Sequence, residues 1–209
     1  MSDYQNEQRH ALTQIKNHLK QMAPDELDKL HGFIATYIDF RREVDRFLDL
    51  HFAVHCTQSC YQSRISACCS KDGIITFWAD LVINACRSTP AQVDRLLQTI
   101  DSPYQPHKCI YLGPSGCCWE LRPLVCAMFL CDAVQEKVFA ANPTAKKQWC
   151  RLKARAKGFR WPDRPVLFDH LEHLFMAAGC RSTLMLLNTS PGLLRIKRQA
   201  GLIVPNIGD

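Results

Sequence analysis

His55, Cys56 and Cys60, followed by Cys68 and Cys69, place four thiols and an imidazole within a short stretch. A second stretch, from 109 to 131, carries Cys109, Cys117, Cys118, Cys126 and Cys131. Nine of the twelve cysteines lie in these two bunches. Thiols so placed can form disulfides, pack a core, do redox chemistry or bind metal. Composition weighs among these. The chain has 209 residues, 47% apolar and 22% charged, so it can build a core without cross-links. Its opening, MSDYQNEQRHALTQIKNHLK, has no basic region leading into an apolar run, and no stretch of about 18 apolar residues follows. The expected location is a reducing cytoplasm, with no membrane span, where bunched cysteines are metal ligands or catalytic thiols more often than disulfides.

Ligand spacing supports metal. Cys56 and Cys60 have three residues between them, a knuckle spacing that can chelate one ion. Cys68 and Cys69 lie close enough for a loop to fold back. Cys109, Cys117 and Cys118 sit in a Gly- and Pro-rich loop able to wrap an ion. Cys126 falls in the first turn of a helix opened by Pro123, where a helix N-terminus is expected to lower a thiol pKa. Cys131 would point about 140° away on a regular helix, so it needs a break or a second ion. Adjacent cysteines suit bridging thiolates, because neighbouring side chains seldom chelate one tetrahedral ion together. The expected ligands are Cys56, Cys60, Cys68, Cys69, Cys109, Cys117, Cys118, Cys126 and Cys131, with Cys117 and Cys118 as alternates. The expected cofactor is zinc or an iron–sulfur cluster, since thiolate ligation suits both. His55 and His107 are candidate substitutes for a thiolate. Cys86, Cys150 and Cys180 stand alone on helical stretches and read as packed thiols.

These ligands need elements to position them. Leu12, Ile15, Leu19 and Met22 mark one face of a first helix. Pro24 opens a second, running to residue 53, with Asp25, Glu26 and Asp28 early and Leu27, Leu30, Ile34, Tyr37, Val44 and Leu48 in 3–4 spacing; Arg41 interrupts that stripe. Residues 1–53 thus read as a helical hairpin, an arm or a dimer surface. A turn and short strand are expected at 70–76, then a helix capped by Thr76 and running through Cys86. Thr89 and Pro90 open another to about residue 100. A helix is expected from Pro123 to Ala141, a basic one after Asn142-Pro143, and two more over 166–179 and 181–200, with a tail after them. The fold class is mostly α: an irregular helical domain with cysteine-rich loops around a metal site. The divisions are 1–53, a cysteine-cluster region at 54–141, and a C-terminal helical region at 142–209.

The segment CWELRPLVCAMFLC, residues 118–131, resembles the YkgJ-like cysteine-cluster family, a CxxCxxCC zinc- or iron-chelating domain. Arg122, Pro123, Cys126 and Cys131 match its Arg-Pro segment, Cys109 the cysteine before its central loop, Cys117 or Cys118 the loop's second cysteine, and Cys56, Cys60, Cys68 and Cys69 its opening cluster. Seven residues separate Cys60 from Cys68 where the family is compressed, Ala127 replaces a common arginine and Leu130 a common proline. The resemblance covers about residues 55–135. It implies metal or cluster binding by about eight thiolates, without a reaction. Larger relatives, the FliB-type flagellin lysine methylases, couple such a cluster to methyl transfer, but no Gly-rich strand-turn-helix for S-adenosylmethionine is present here. The main expectation is therefore a metal-binding protein. The alternatives are a cluster-dependent enzyme, with Asp80, Glu120 and Arg122 as nearby polar groups, and an adaptor that binds a partner or nucleic acid through its basic helix. The charge is +6, and residues 145–160 hold seven basic groups and no acid. Nucleic-acid binding is not expected, since such runs are commonly a solvated face.

Overall fold

A computed structural model describes residues 3–62, 69, 76–102, 108–113, 116–160 and 166–185. Helix accounts for 76% of them. The helices are α1 (Asp3–Gln21), α2 (Pro24–Ala53), α3 (Trp78–Arg87), α4 (Pro90–Asp101), α5 (Leu124–Ala127), α6 (Asp132–Ala141), α7 (Pro143–Arg160) and α8 (Leu167–Ala177). A two-stranded antiparallel hairpin pairs β1 (Leu112–Gly113) with β2 (Gly116–Cys117).

The centre is α3. Every residue from Trp78 to Ala85 is buried, so this helix is covered all round. α1 packs against α3 and α4, burying Ala11, Leu12 and Ile15 completely. α8 packs against α3 and α7. The long α2 starts as its sequence predicts: Pro24 occupies the first turn and the Ala23 N–H donates to the Glu26 carboxylate at 3.0 Å. Its buried face meets α6 and α7. Trp149 of α7 stacks on Phe47 with ring centroids 5.3 Å apart, and Phe159 meets Phe40 and Tyr37 at 5.0 and 5.2 Å. Buried apolar side chains from Ala11 to Met185 join in one cluster.

Capping chemistry explains several boundaries. The Thr89 hydroxyl accepts from the Gln92 N–H at 3.3 Å and the Gln92 side chain accepts from the Thr89 N–H, a capping box for α4. Asn142 accepts from the Ala145 N–H at 3.0 Å and opens α7. α8 ends at Gly179, whose φ of 88° suits glycine; Gly179 N–H donates to Met176 and Cys180 N–H to Phe175, a Schellman closure.

Four expectations change. α3 is capped at Phe77, not Thr76: the Asp80 carboxylate accepts from the Phe77 N–H, and Thr76 pairs instead with the Tyr4 hydroxyl. The helix expected from Pro123 to Ala141 is two helices, because Met128 leaves helical geometry and Cys131 is extended. No glycine or proline marks that break. Residues 181–185 form a turn rather than the start of a helix: Gln14 on α1 clasps the backbone of Arg181 with two hydrogen bonds, and Leu184 accepts from the Trp78 N–H. The hairpin replaces part of what reads as loop. The remainder of the 181–200 helix, the tail, and the 70–75 part of the turn and strand lie outside the described residues.

Candidate functional site

Both cysteine bunches are carried by irregular backbone. α2 runs without interruption into a π-helical segment, Val54–Tyr61, which holds Cys56 and Cys60. Its widened i→i−5 ladder is continued by the Gln62 N–H donating to Thr57 at 2.9 Å. Such segments are rare and recur at functional sites. The tip of the Tyr61 ring lies 4.0 Å from the Cβ position of Gly116, so this segment abuts the hairpin. Gly116 has a φ of 112°, a conformation open to glycine.

The two bunches meet. The Cys109 N–H donates to the Cys69 carbonyl at 2.9 Å, joining chain segments forty residues apart. Cys109 opens a turn closed by Leu112 N–H at 3.0 Å, and the Cys118 N–H donates to Tyr111 at 2.8 Å. Tyr111, almost fully buried, anchors this loop on α1 by donating to Gln8 at 2.9 Å, and meets Trp119 edge to face.

Residues 121–124 are held from two sides. Asn84 accepts from the Leu121 N–H at 2.9 Å, and Asp80 from the Leu124 N–H at 3.0 Å. From the other side Arg41 donates to the Arg122 carbonyl at 2.7 Å. Asp80 thereby caps α3 and α5 with one buried carboxylate. This clamp fixes Cys126.

The thiols also act on one another electrostatically. Burial, then the nearby Cys109 and Cys117 thiols and the Asp80 carboxylate, push the Cys126 pKa up to about 12, with Arg122 pulling the other way. The lowered pKa expected from the helix N-terminus is overturned: α5 is a single turn, too short for much of a dipole, and burial and like charge outweigh it. Tyr4 and Tyr111 feel Cys109 as well, and burial raises both phenols. Cys126 thus feels both Cys109 and Cys117, and Cys109 also acts on Tyr4 at the start of α1. Cys118 has its Sγ 3.1 Å from the Cβ position of Gly113. Cys131 is the residue just before α6, released from the line of α5 by the break at 128–131.

Cys68 and His107 lie outside the described residues. Among the described residues no disulfide joins two cysteines, and no group of three or more Cys, His, Asp or Glu side chains stands in position to hold one ion. Cys86 lines a cleft against α1 and α2, and burial pushes its pKa up to about 12. Cys150 is exposed on α7, and Cys180 is buried, which raises its pKa. No protein-family model, curated protein or solved structure matches the chain.

A cavity of about 340 Å³ opens beside Cys117, lined by Arg41, Asp45 and Asp49 of α2 and by Trp119, Glu120 and Arg122. Sequence patterning names Glu120 and Arg122 but passes over the α2 residues and Trp119. The one signal is Arg41 itself, a charge at a position where the apolar stripe demands burial.

Proposed function

We propose that this chain is a metal-binding protein that holds zinc or an iron–sulfur cluster through thiolates drawn from both cysteine bunches. Cys56, Cys60, Cys68, Cys69, Cys109, Cys126 and Cys131 would supply the ligands, together with Cys117 and with Cys118 as its alternate. The observation that carries the reading is the hydrogen bond from the Cys109 N–H to the Cys69 carbonyl, which brings the two bunches together, while Cys126 feels the charge of Cys109 and Cys117. The resemblance of residues 118–131 to the YkgJ-like family supports it independently. A bound cation would take these thiols as thiolates, with release of protons. Eight thiolates around one dication leave excess negative charge, so two ions or a multinuclear cluster fit better. Arg122 stands close enough to Cys126 to offset part of that charge.

The test is elemental analysis and an absorption spectrum of protein purified without oxygen. Stoichiometric zinc without visible colour, or iron with charge-transfer bands, supports the reading. Metal-free protein with its bunched cysteines in disulfides after reducing, anaerobic preparation overturns it. The cavity beside Cys117 favours a second reading, a cluster-dependent enzyme, for which a polar cleft next to the thiols is a requirement.

A further inference from the structure

Away from the thiols, a groove of about 670 Å³ opens where the end of α1, the start of α2 and α8 come together. Two large apolar side chains left in water line it: Phe33 of α2, 46% exposed, and Leu174 of α8, 44% exposed. Met22, Leu30 and Ala178 extend the apolar lining, and the His170 ring lies 5.5 Å from that of Phe33. A concave apolar surface of this kind marks a docking site. One edge of it is acidic. Asp25, Glu26 and Asp28 stand in the first turns of α2; Lys29 answers Asp25 at 3.2 Å, and Glu26 and Asp28 leave the edge net negative.

The chain itself carries a segment of matching chemistry. In LLNTSPGLLRIKRQAGLIV, residues 186–204, Leu193, Ile196, Ala200 and Ile203 recur at steps of three and four, with Arg195, Lys197 and Arg198 between them. An apolar groove with an acidic edge selects such a basic, amphipathic stretch. The last described residues lead towards it. Beyond α8 the chain runs back along α1: the Gln14 side chain holds the Arg181 backbone, and the Thr183 hydroxyl donates to Glu7. From Glu7 to His18, at the groove, is eleven residues of α1, about 16 Å. Seven residues, 186–192, lie between Met185 and Leu193, and fully extended they span at most about 24 Å. Asn188, Ser190, Pro191 and Gly192 among them are the residue types from which a returning turn is made. We propose that residues 193–204 of this chain seat in the groove between α1, α2 and α8, their apolar stripe against Phe33 and Leu174 and their basic residues at the Glu26 and Asp28 edge. The contact is intramolecular, so it does not depend on protein concentration. It makes no use of the thiol site and is independent of metal content.

The experiment is site-specific photocrosslinking in the whole chain, with p-benzoylphenylalanine in place of Phe33 and, in a second variant, in place of Leu174. Both positions are exposed, so the substitution leaves the core untouched. After irradiation, peptide mass spectrometry identifies what each probe has joined. The expected product is a monomer with the probe bonded to a residue between 193 and 204, in a yield that is unchanged by roughly tenfold dilution. Ile196→Asp cuts that yield at least about fivefold, because a carboxylate on the apolar stripe resists burial. A crosslinked dimer in place of the monomer makes a second copy the occupant and overturns the inference. It is overturned equally if both probes join only other parts of the chain, or if neither yields an intrachain product.

Discussion

Asp80 does more than any other polar side chain described here. One carboxylate accepts the Phe77 and Leu124 N–H groups while 3% exposed. Asp80→Ala leaves two buried donors unmet, at about 1–3 kcal/mol each, so a loss of roughly 2–6 kcal/mol is expected in urea denaturation. Among the thiols, Cys126→Ser is expected to lower both metal content and melting temperature, whereas Cys150→Ser, at an exposed position, changes neither. Elemental analysis and a thermal scan on the two variants check this, and equal behaviour of the pair removes Cys126 from the site. At this scale the sequence was legible where chemistry repeats: the bunching and spacing of cysteines are visible without coordinates. It was illegible where a residue's role depends on a distant partner. Nothing local says that Asp80 reaches Leu124, or that Gln8 holds Tyr111.

At the scale of elements, the helices with strong punctuation were readable. Pro24, Thr89-Pro90 and Asn142-Pro143 begin helices where they should, because a proline's fixed φ and a short polar side chain act on their own turn. The break between α5 and α6 was not, since residues 124–131 are all acceptable in a helix and contacts elsewhere decide it. The π-helical stretch was hidden for the same reason. On α7, Ala145, Trp149, Leu152 and Ala156 are buried, and Lys146, Lys147, Arg151, Lys153, Arg155 and Lys157 are exposed. One of them is committed within the chain: Arg155 pairs with Glu43 at 2.5 Å and covers the Phe40 ring at 5.2 Å. Fluorescence anisotropy with labelled RNA and DNA is therefore expected to show no tight binding. A dissociation constant that rises steeply with salt would overturn that, since phosphate contacts carry that signature. Trp149→Ala empties the stack on Phe47 and should cost about 3–5 kcal/mol.

For the whole molecule, buried groups that dislike ionising set an alkaline limit. Burial raises the Cys86 pKa from 9.0 to about 12, and raises those of Tyr4 and Tyr111 too. The unfolded chain releases these protons first. Stability from the neutral Cys86 is therefore fully present below pH 9 and declines as pH rises from about 9 towards 12. Urea midpoints at increasing alkaline pH should fall, and Cys86→Ala should flatten the fall. A midpoint independent of pH across that window would show that the thiol is solvated. That one continuous core gathers helices from residues 11 to 185 was only partly legible, because amphipathic stripes tell which face is buried but not against what.

The shared cap at Asp80 has a consequence in time as well as in energy. α5 is four residues long, far below the length at which a helix persists by itself, so its order is borrowed. Its first amide hydrogen, on Leu124, and the Phe77 amide ahead of α3 are held by two oxygens of one side chain. When α3 shifts, both are released together. In hydrogen–deuterium exchange the two amides should therefore open with a common rate, and Asp80→Asn, which weakens both bonds, should raise the two rates together.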